Sequence, residues 1–226
     1  PMKKSVIIAA IGFLAISCAG EKADQATTGE AQEVNVLADA EKVVLDAESV
    51  VEWKGYKTYT GDSHNGTMGL GKSYFAITGD ELVGGTILID LNKMDVTDLR
   101  DRKRESLLGH LRDADFFFVD SFPTALFEIT AVNYTLKTDS AVEDGLNTIV
   151  SGNLTLRGVT NSIEFPALIS VENGSVSFDA PTFSIDRTLW GVNFHNRDDA
   201  SIAESLKDNL IDHNIELTIS VTAAKG

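Results

Sequence analysis

The chain has 226 residues, 43% of them hydrophobic, and a formal net charge of −15. That length holds one sizeable domain or two small ones, and the apolar share is enough for a real core. A surface this acidic repels phosphate backbones, which argues against nucleic acid as a partner.

At the N-terminus, Lys3 and Lys4 precede an eleven-residue apolar run, Val6 to Ile16, and the small residues Ser17, Cys18, Ala19 and Gly20 follow. The run is short for a membrane span but has the length of a signal-peptide core. Cys18 is the single cysteine, so no disulfide can form within the chain. It stands where a bacterial lipoprotein carries its acylated cysteine. The stretch Leu14-Ala15-Ile16-Ser17-Cys18 resembles a lipobox, with Ala15 where Leu is usual. Residues 1–17 are therefore expected to be a signal peptide and Cys18 a lipidated membrane anchor, with simple cleavage as the alternative. The expected location is the periplasm or outer membrane of a Gram-negative bacterium. Loss of Lys3 and Lys4 with the peptide takes the net charge from −15 to −17. Residues 18–40 lack large aromatics and are rich in Ala, Glu, Gln and Thr, which predicts a flexible tether.

From residue 41 to 226 a different pattern holds. Apolar residues alternate with polar ones, the mark of strands with one buried face. Ile87, Ile89 and Leu91 share a face in Thr86 to Leu91, and Phe127, Ile129 and Ala131 do so in Ala125 to Tyr134. Leu154 and Leu156 share one in Gly152 to Arg157, as do Ile215, Leu217, Ile219 and Val221 in the last strand. Turn signals separate the runs: Gly79-Asp80, Gly84-Gly85, Asp144-Gly145, Arg157-Gly158 and Asn173-Gly174. Together they predict an antiparallel sandwich or barrel. Two stretches depart from the alternation. Asp98 to Arg112 carries Leu99, Leu107, Leu108 and Leu111 among charges and predicts an amphipathic helix, and Ser201 with Glu204 forms a capping-box pattern that predicts a helical turn to Leu206.

One motif points elsewhere. Gly66-Thr67-Met68-Gly69-Leu70-Gly71-Lys72-Ser73 has the letters of a phosphate-binding loop, and Asp90 ends an apolar run as in the second nucleotide motif. Such a loop works because a buried parallel strand delivers it and a helix leaves it. Here polar, turn-like residues precede Gly66, and the β-prone Tyr74 to Thr78 follows Ser73. A nucleotide hydrolase is rejected on that ground, and Asp90 is expected at an exposed strand end.

No other constellation suggests catalysis. His64, His110, His195 and His213 lack metal spacing, and His110 with Asp113 and Asp115 is better explained by a helix terminus. No catalytic residue, metal or cofactor is expected. The aromatics Trp53, Phe75, Phe116, Phe117, Phe118, Phe127, Phe165, Phe183 and Trp190 are spread over many strands. They either fill a core or line a cavity, since a barrel of about eight strands is wide enough to be packed or to hold one slim ligand.

Three stretches, in order, resemble the signatures of the YceI-like family. They are His110 to Thr130 (HLRDADFFFVDSFPTALFEIT), Gly152 to Ala167 (GNLTLRGVTNSIEFPA), and Phe183 to Val192 with Arg187, Trp190 and Gly191. The opening SVVEWKGYK and His64-Asn65-Gly66 are similar to the family's first strands. Glu48-Ser49 stands where the family often has His-Ser, and Asp198 to Asp212 is longer and more polar than expected. The resemblance implies an all-β, extended antiparallel, lipocalin-like barrel of about eight strands with one or two short helices. It also implies an exported binding protein, not an enzyme, that carries or sequesters a polyprenoid or isoprenoid quinone. Trp53, Phe75, Ile87, Phe127, Ile129, Leu154, Leu156, Phe183 and Trp190 are then expected to line the tunnel, with His64 and Arg187 as candidates for the ligand's polar end. A homodimer is compatible with this. The alternative is a cell-envelope protein-interaction module with a packed barrel and no ligand.

Overall fold

The structure, a computed structural model, describes residues 23–35, 39–134 and 145–224. The expected signal peptide, Cys18 and Asp144 of one expected turn lie outside the described residues. In chain order the elements are β1 (Asp24–Gln25), β2 (Thr27–Glu30), β3 (Glu41–Leu45), β4 (Val50–Lys57), β5 (Ser63–Leu70), β6 (Tyr74–Thr78) and β7 (Glu81–Val96). Then come α1 (Asp101–Arg112), β8 (Thr124–Asn133), β9 (Thr148–Leu156), β10 (Val159–Glu172), β11 (Ser175–Asp186) and β12 (Ile211–Ala224). Short 3-10 turns occupy Arg187–Trp190 and Lys207–Asn209.

Eight strands close an antiparallel barrel in the order β4, β5, β7, β8, β9, β10, β11, β12, with β12 returning to β4. Two of the turns that sequence marked are tight because both central residues take positive φ, whereas Gly84-Gly85 is not a turn but lies inside β7, where Gly85 packs against Phe75. Arg157 and Gly158 (50° and 74°) link β9 to β10, and Asn173 and Gly174 (52° and 76°) link β10 to β11. The barrel is elongated by a hand-over in its wall. β7 is 16 residues long, about 50 Å at the usual rise. Its first half pairs with β6 and its second with β5, while β3 connects β6 to β12.

The hand-over explains the phosphate-loop letters. Gly66 lies within β5, where a Cβ would come within 1.9 Å of the Asp95 carbonyl oxygen. At Gly71 a Cβ would meet the Leu88 side chain at 2.8 Å. Ser73 is buried, and its Oγ accepts a hydrogen bond from the Leu88 amide at 2.9 Å. A strand, β6, follows in place of a helix, and Lys72 is exposed. The glycines let strands cross closely; the hydroxyl fastens the corner. Asp90 corrects its expectation: it is half-buried in mid-β7, paired with Gly69 beside a register shift, and does not end a strand.

Two further expectations are corrected by local geometry. A register shift between Ile129 and Ala131 turns Ala131 outward and brings Val132 against the core instead. Ser201 does not cap a helix: its amide and hydroxyl both donate to Asp199 Oδ1, at 3.0 and 2.6 Å, and residues 201–206 form turns. α1 does form, three residues later than the predicted start. Leu108 and Leu111 are buried, Leu107 and Leu99 pack beside them, and Leu99 precedes the helix. Arg104 of α1 donates to Asp95 and Arg112 to the carbonyls of Asn92 and Met94, which fastens the helix to the end of β7.

The predicted tether is the largest correction. β1 pairs in parallel with Phe183 and Ser184 of β11, and β2 pairs antiparallel with Asn161 to Glu164 of β10. The β10–β11 ladder runs from Glu172↔Ser175 to Leu168↔Asp179. Two steps further, the same register would set Pro166 opposite Pro181. Neither has an N–H to donate, so the strands part there. The N-terminal segment takes the place between them. Ala26 is buried, and Gln32 exchanges hydrogen bonds with the Asn153 side chain at 2.8 and 2.7 Å.

Candidate functional site

The nine residues predicted to line a tunnel all belong to one buried apolar cluster inside the barrel. Cross-strand register explains how they meet. One row runs Val43, Phe75, Gly85, Ile129, Gly152, Ile163, and another runs Phe183, Leu217, Trp53, Gly66, Val96. Each row sets glycines beside large rings. A Cβ at Gly152 would strike the Phe127 ring at 2.5 Å, one at Gly85 would lie 2.9 Å from the Phe75 ring, and one at Gly66 2.9 Å from Trp53 Cζ2. Three of the predicted aromatics thus lie along the wall over a glycine of an adjacent strand.

Two residues that sequence did not place in the tunnel set belong to the same interior. Phe165 stacks on Phe183 at 4.3 Å, and Phe178 stacks on Phe75 at 5.5 Å. The alternations Ile163, Phe165, Ala167 and Val176, Phe178, Ala180 carried this signal. Trp190 is fully buried, and its Nε1–H donates to the Leu154 carbonyl at 2.8 Å.

The two candidates for a polar end do not share a site. Arg187 is 0% exposed. Its Nε donates to the Asp212 carbonyl at 2.9 Å, Nη1 to Val192 at 2.5 Å, and Nη2 to Phe194 and Ile211 at 3.0 and 3.2 Å. Burial lowers its pKa to about 10 against the opposing charges of Asp186 and Asp212. With its donors spent on main-chain carbonyls, Arg187 holds the 187–194 and 211–212 segments together, and the polar-end role is corrected to a structural one. His64 is half-buried at the barrel end beside α1. It shares a 2.8 Å hydrogen bond with Asp98, and the Asn65 amide donates to the same carboxylate. Burial raises the Asp98 pKa, but these two hydrogen bonds pull it down further, and the net shift is downward. His64 lines a cleft of about 660 Å³ with Leu99, Arg102, Lys103, Ser106, Leu107 and His110.

Among the described residues no group of three or more His, Cys, Asp or Glu could hold a metal ion. No described helix is long and apolar enough to cross a membrane.

A closed antiparallel barrel with an apolar interior and a single short α-helix is the architecture of lipocalin-like binding proteins. The chain belongs to the YceI-like family, whose domain model matches residues 35–223. β1 and β2 precede that match. Among solved structures, it is similar to a polyisoprenoid binding domain from Saccharophagus degradans implicated in plant cell wall breakdown, at 16% identity and a TM-score of 0.57, over 81% of this chain and 98% of that one. It is also similar to BcnA of Burkholderia cenocepacia, at 15% identity and a TM-score of 0.54, over 80% of this chain and 99% of that one. At these identities the likeness shows the fold. A comparison with curated proteins found no match.

Proposed function

We propose that this chain binds a long isoprenoid lipid, a polyprenoid or isoprenoid quinone, inside its barrel. The observation that carries this is the pairing of Trp53, Phe75 and Phe127 with Gly66, Gly85 and Gly152. With no side chain on the facing glycine, each ring has room to lie close to the neighbouring strand. A slim chain of methyl-branched units suits such a wall. At about 0.8 kcal/mol per methylene, one five-carbon unit gains about 4 kcal/mol gross on leaving water. Much of that is matched by a bilayer, so exchange with a membrane is reversible. Membership of the YceI-like family and the likeness to the polyisoprenoid binding domain of Saccharophagus degradans support the same reading. The role is binding or carriage, not catalysis.

We also infer an exported protein held at a membrane by acylated Cys18, periplasmic or on the outer membrane. What supports this is the sequence of residues 1–18 alone. Mass spectrometry of the membrane fraction tests it: a diacyl-glyceryl or triacyl mass on a peptide beginning at Cys18 is expected, and an unmodified soluble chain would overturn it.

The interaction-module alternative draws on a specific observation, the contiguous aromatic series Phe183, Phe165, Phe178, Phe75. Native mass spectrometry with organic extraction, on the full chain purified from a host with isoprenoid-bearing membranes, separates the two. A stoichiometric apolar adduct is expected. A chain that is empty and also ignores added quinones and polyprenols would make the packed barrel the better reading.

A further inference from the structure

We propose that the α1 end of the barrel docks on the bilayer that holds Cys18, and that the cleft beside α1 takes the phosphate of an anionic phospholipid there. This rests on the acylated-anchor reading above and not on the identity of the cargo.

The cleft of about 660 Å³ follows one stripe of α1. Lys103, Leu107 and His110 recur along it at helical spacing, with Arg102 beside them. Leu99 and Leu107 are half-buried and pack on the barrel core, so they form an apolar floor. Arg102, Lys103 and His110 are exposed above it. Arg104 is tied to Asp95 and Glu105, but Arg102 and Lys103 have no carboxylate partner among the described residues. No carboxylate lines the cleft, although the chain holds 34 Asp and Glu against 19 Lys and Arg. The clefts of about 960 and 430 Å³ over β4 and β12 both carry carboxylates, among them Glu216. Two free cations over two leucines suit a phosphate joined to an apolar chain.

The N-terminal strands say where that phosphate comes from. Cys18 lies six residues before Asp24, the first residue of β1. Six residues span at most about 20 Å. Asp24 pairs with Phe183, and β11 ends three residues later, at Asp186. The row through Phe183 continues across Leu217, Trp53 and Gly66 to Val96. Val96 ends β7, three residues before Leu99 of the cleft. The anchor therefore joins the wall towards the end that carries α1, and an acyl group on Cys18 keeps that end close to the membrane. The net charge of −15 opposes free binding to an anionic surface. An acyl anchor and a basic patch together supply the two signals that a stable membrane contact needs. Docking sets the α1 end against the bilayer, and the acidic remainder of the surface favours that orientation over others.

The test reconstitutes the full chain, purified from membranes, into vesicles of phosphatidylcholine with or without phosphatidylglycerol. Gly109→Cys puts a thiol on exposed α1, where a Cβ meets nothing within 4 Å, and Ser175→Cys puts one at the far end of the barrel. An acylated Cys18 has no free thiol, so one bimane label per chain is expected. Two labels would show that Cys18 is unmodified; the anchor reading then falls, and docking with it. With one label, nitroxide-bearing lipid is expected to quench bimane at 109 and not at 175, and to do so only when phosphatidylglycerol is present. Arg102→Glu with Lys103→Glu is expected to cut the quenching at 109 by about fivefold or more while the chain stays on the vesicles. Equal quenching at 109 and 175, or quenching at 109 that ignores headgroup and substitutions, overturns the docking with the anchor intact. A label at 109 that is shielded from water but unquenched gives the cleft to a second copy and overturns it as well.

Discussion

Arg187 shows how a residue with the chemistry of a ligand contact can be wholly committed to the fold. A lysine in its place offers one ammonium to carbonyls that a planar guanidinium reaches from several directions. Arg187→Lys is expected to lose about 3 kcal/mol of stability in urea unfolding, because buried carbonyls lose their donors. Ligand affinity of the folded fraction should not change; a variant of normal stability but weakened binding would restore Arg187 to the site. Gly152 is the opposite case, a residue without chemistry that shapes the interior. Gly152→Ala drives a methyl into the Phe127 ring, and an overpacking cost of about 1–3 kcal/mol is expected in the same assay. Phe127→Asp, if it folds, should abolish lipid binding, and unchanged affinity would remove Phe127 from the lining.

At the scale of elements, the N-terminal strands behave as part of the wall. They fill a place that Pro166 and Pro181 leave without ladder donors. Truncation through Glu30 should leave a folded barrel, since the family domain begins at residue 35. Amide exchange at Asn161 to Glu164 and at Phe183 and Ser184 should rise, with a fall of a few degrees in Tm. Unchanged exchange would mean that the strands are not docked in solution. Asp98, ahead of α1, is tied to β5 through His64 and the Asn65 amide, and its pKa is depressed in the folded state. A depressed carboxylate contributes stability above its unfolded value of about 4 and loses it as pH falls through the folded value. Urea unfolding of the wild-type chain and Asp98→Asn should therefore differ at pH 6 and converge towards pH 3; a constant difference would leave the carboxylate charge without a role.

At the scale of the whole molecule, an acidic exterior and an apolar interior divide the labour. The charge of −15 disfavours anionic surfaces, and among the described residues the large apolar cluster lies inside the barrel, where the proposed tail would bind. A ligand that binds only the folded barrel raises stability by about 2.7 kcal/mol at a hundred times its Kd. Added polyprenyl quinone should thus raise Tm by several degrees, and ATP should not; a shift with ATP that Lys72→Ala removes would reopen the nucleotide question.

Alternation alone marked β7, β8, β9 and β12, because a half-buried strand must repeat every two residues, and Ile87, Phe127, Leu154 and Ile219 are buried as that rule requires. The proposal of export, by contrast, rests only on sequence, on residues outside the described structure. Tertiary structure decided whatever depends on a distant partner. Ala131 and Val132 exchange faces because a bulge forms only when β9 pairs with β8. The segment Asp24 to Glu30 has no amphipathic pattern, since its buried side needs only small residues such as Ala26. Its strand character comes from two prolines more than a hundred residues away. Gly66, Gly69 and Gly71 look like a phosphate cradle in one dimension. Only the crossing of β5, β6 and β7 reveals that the missing side chains make room for Trp53, Lys93, Leu88 and the Asp95 main chain.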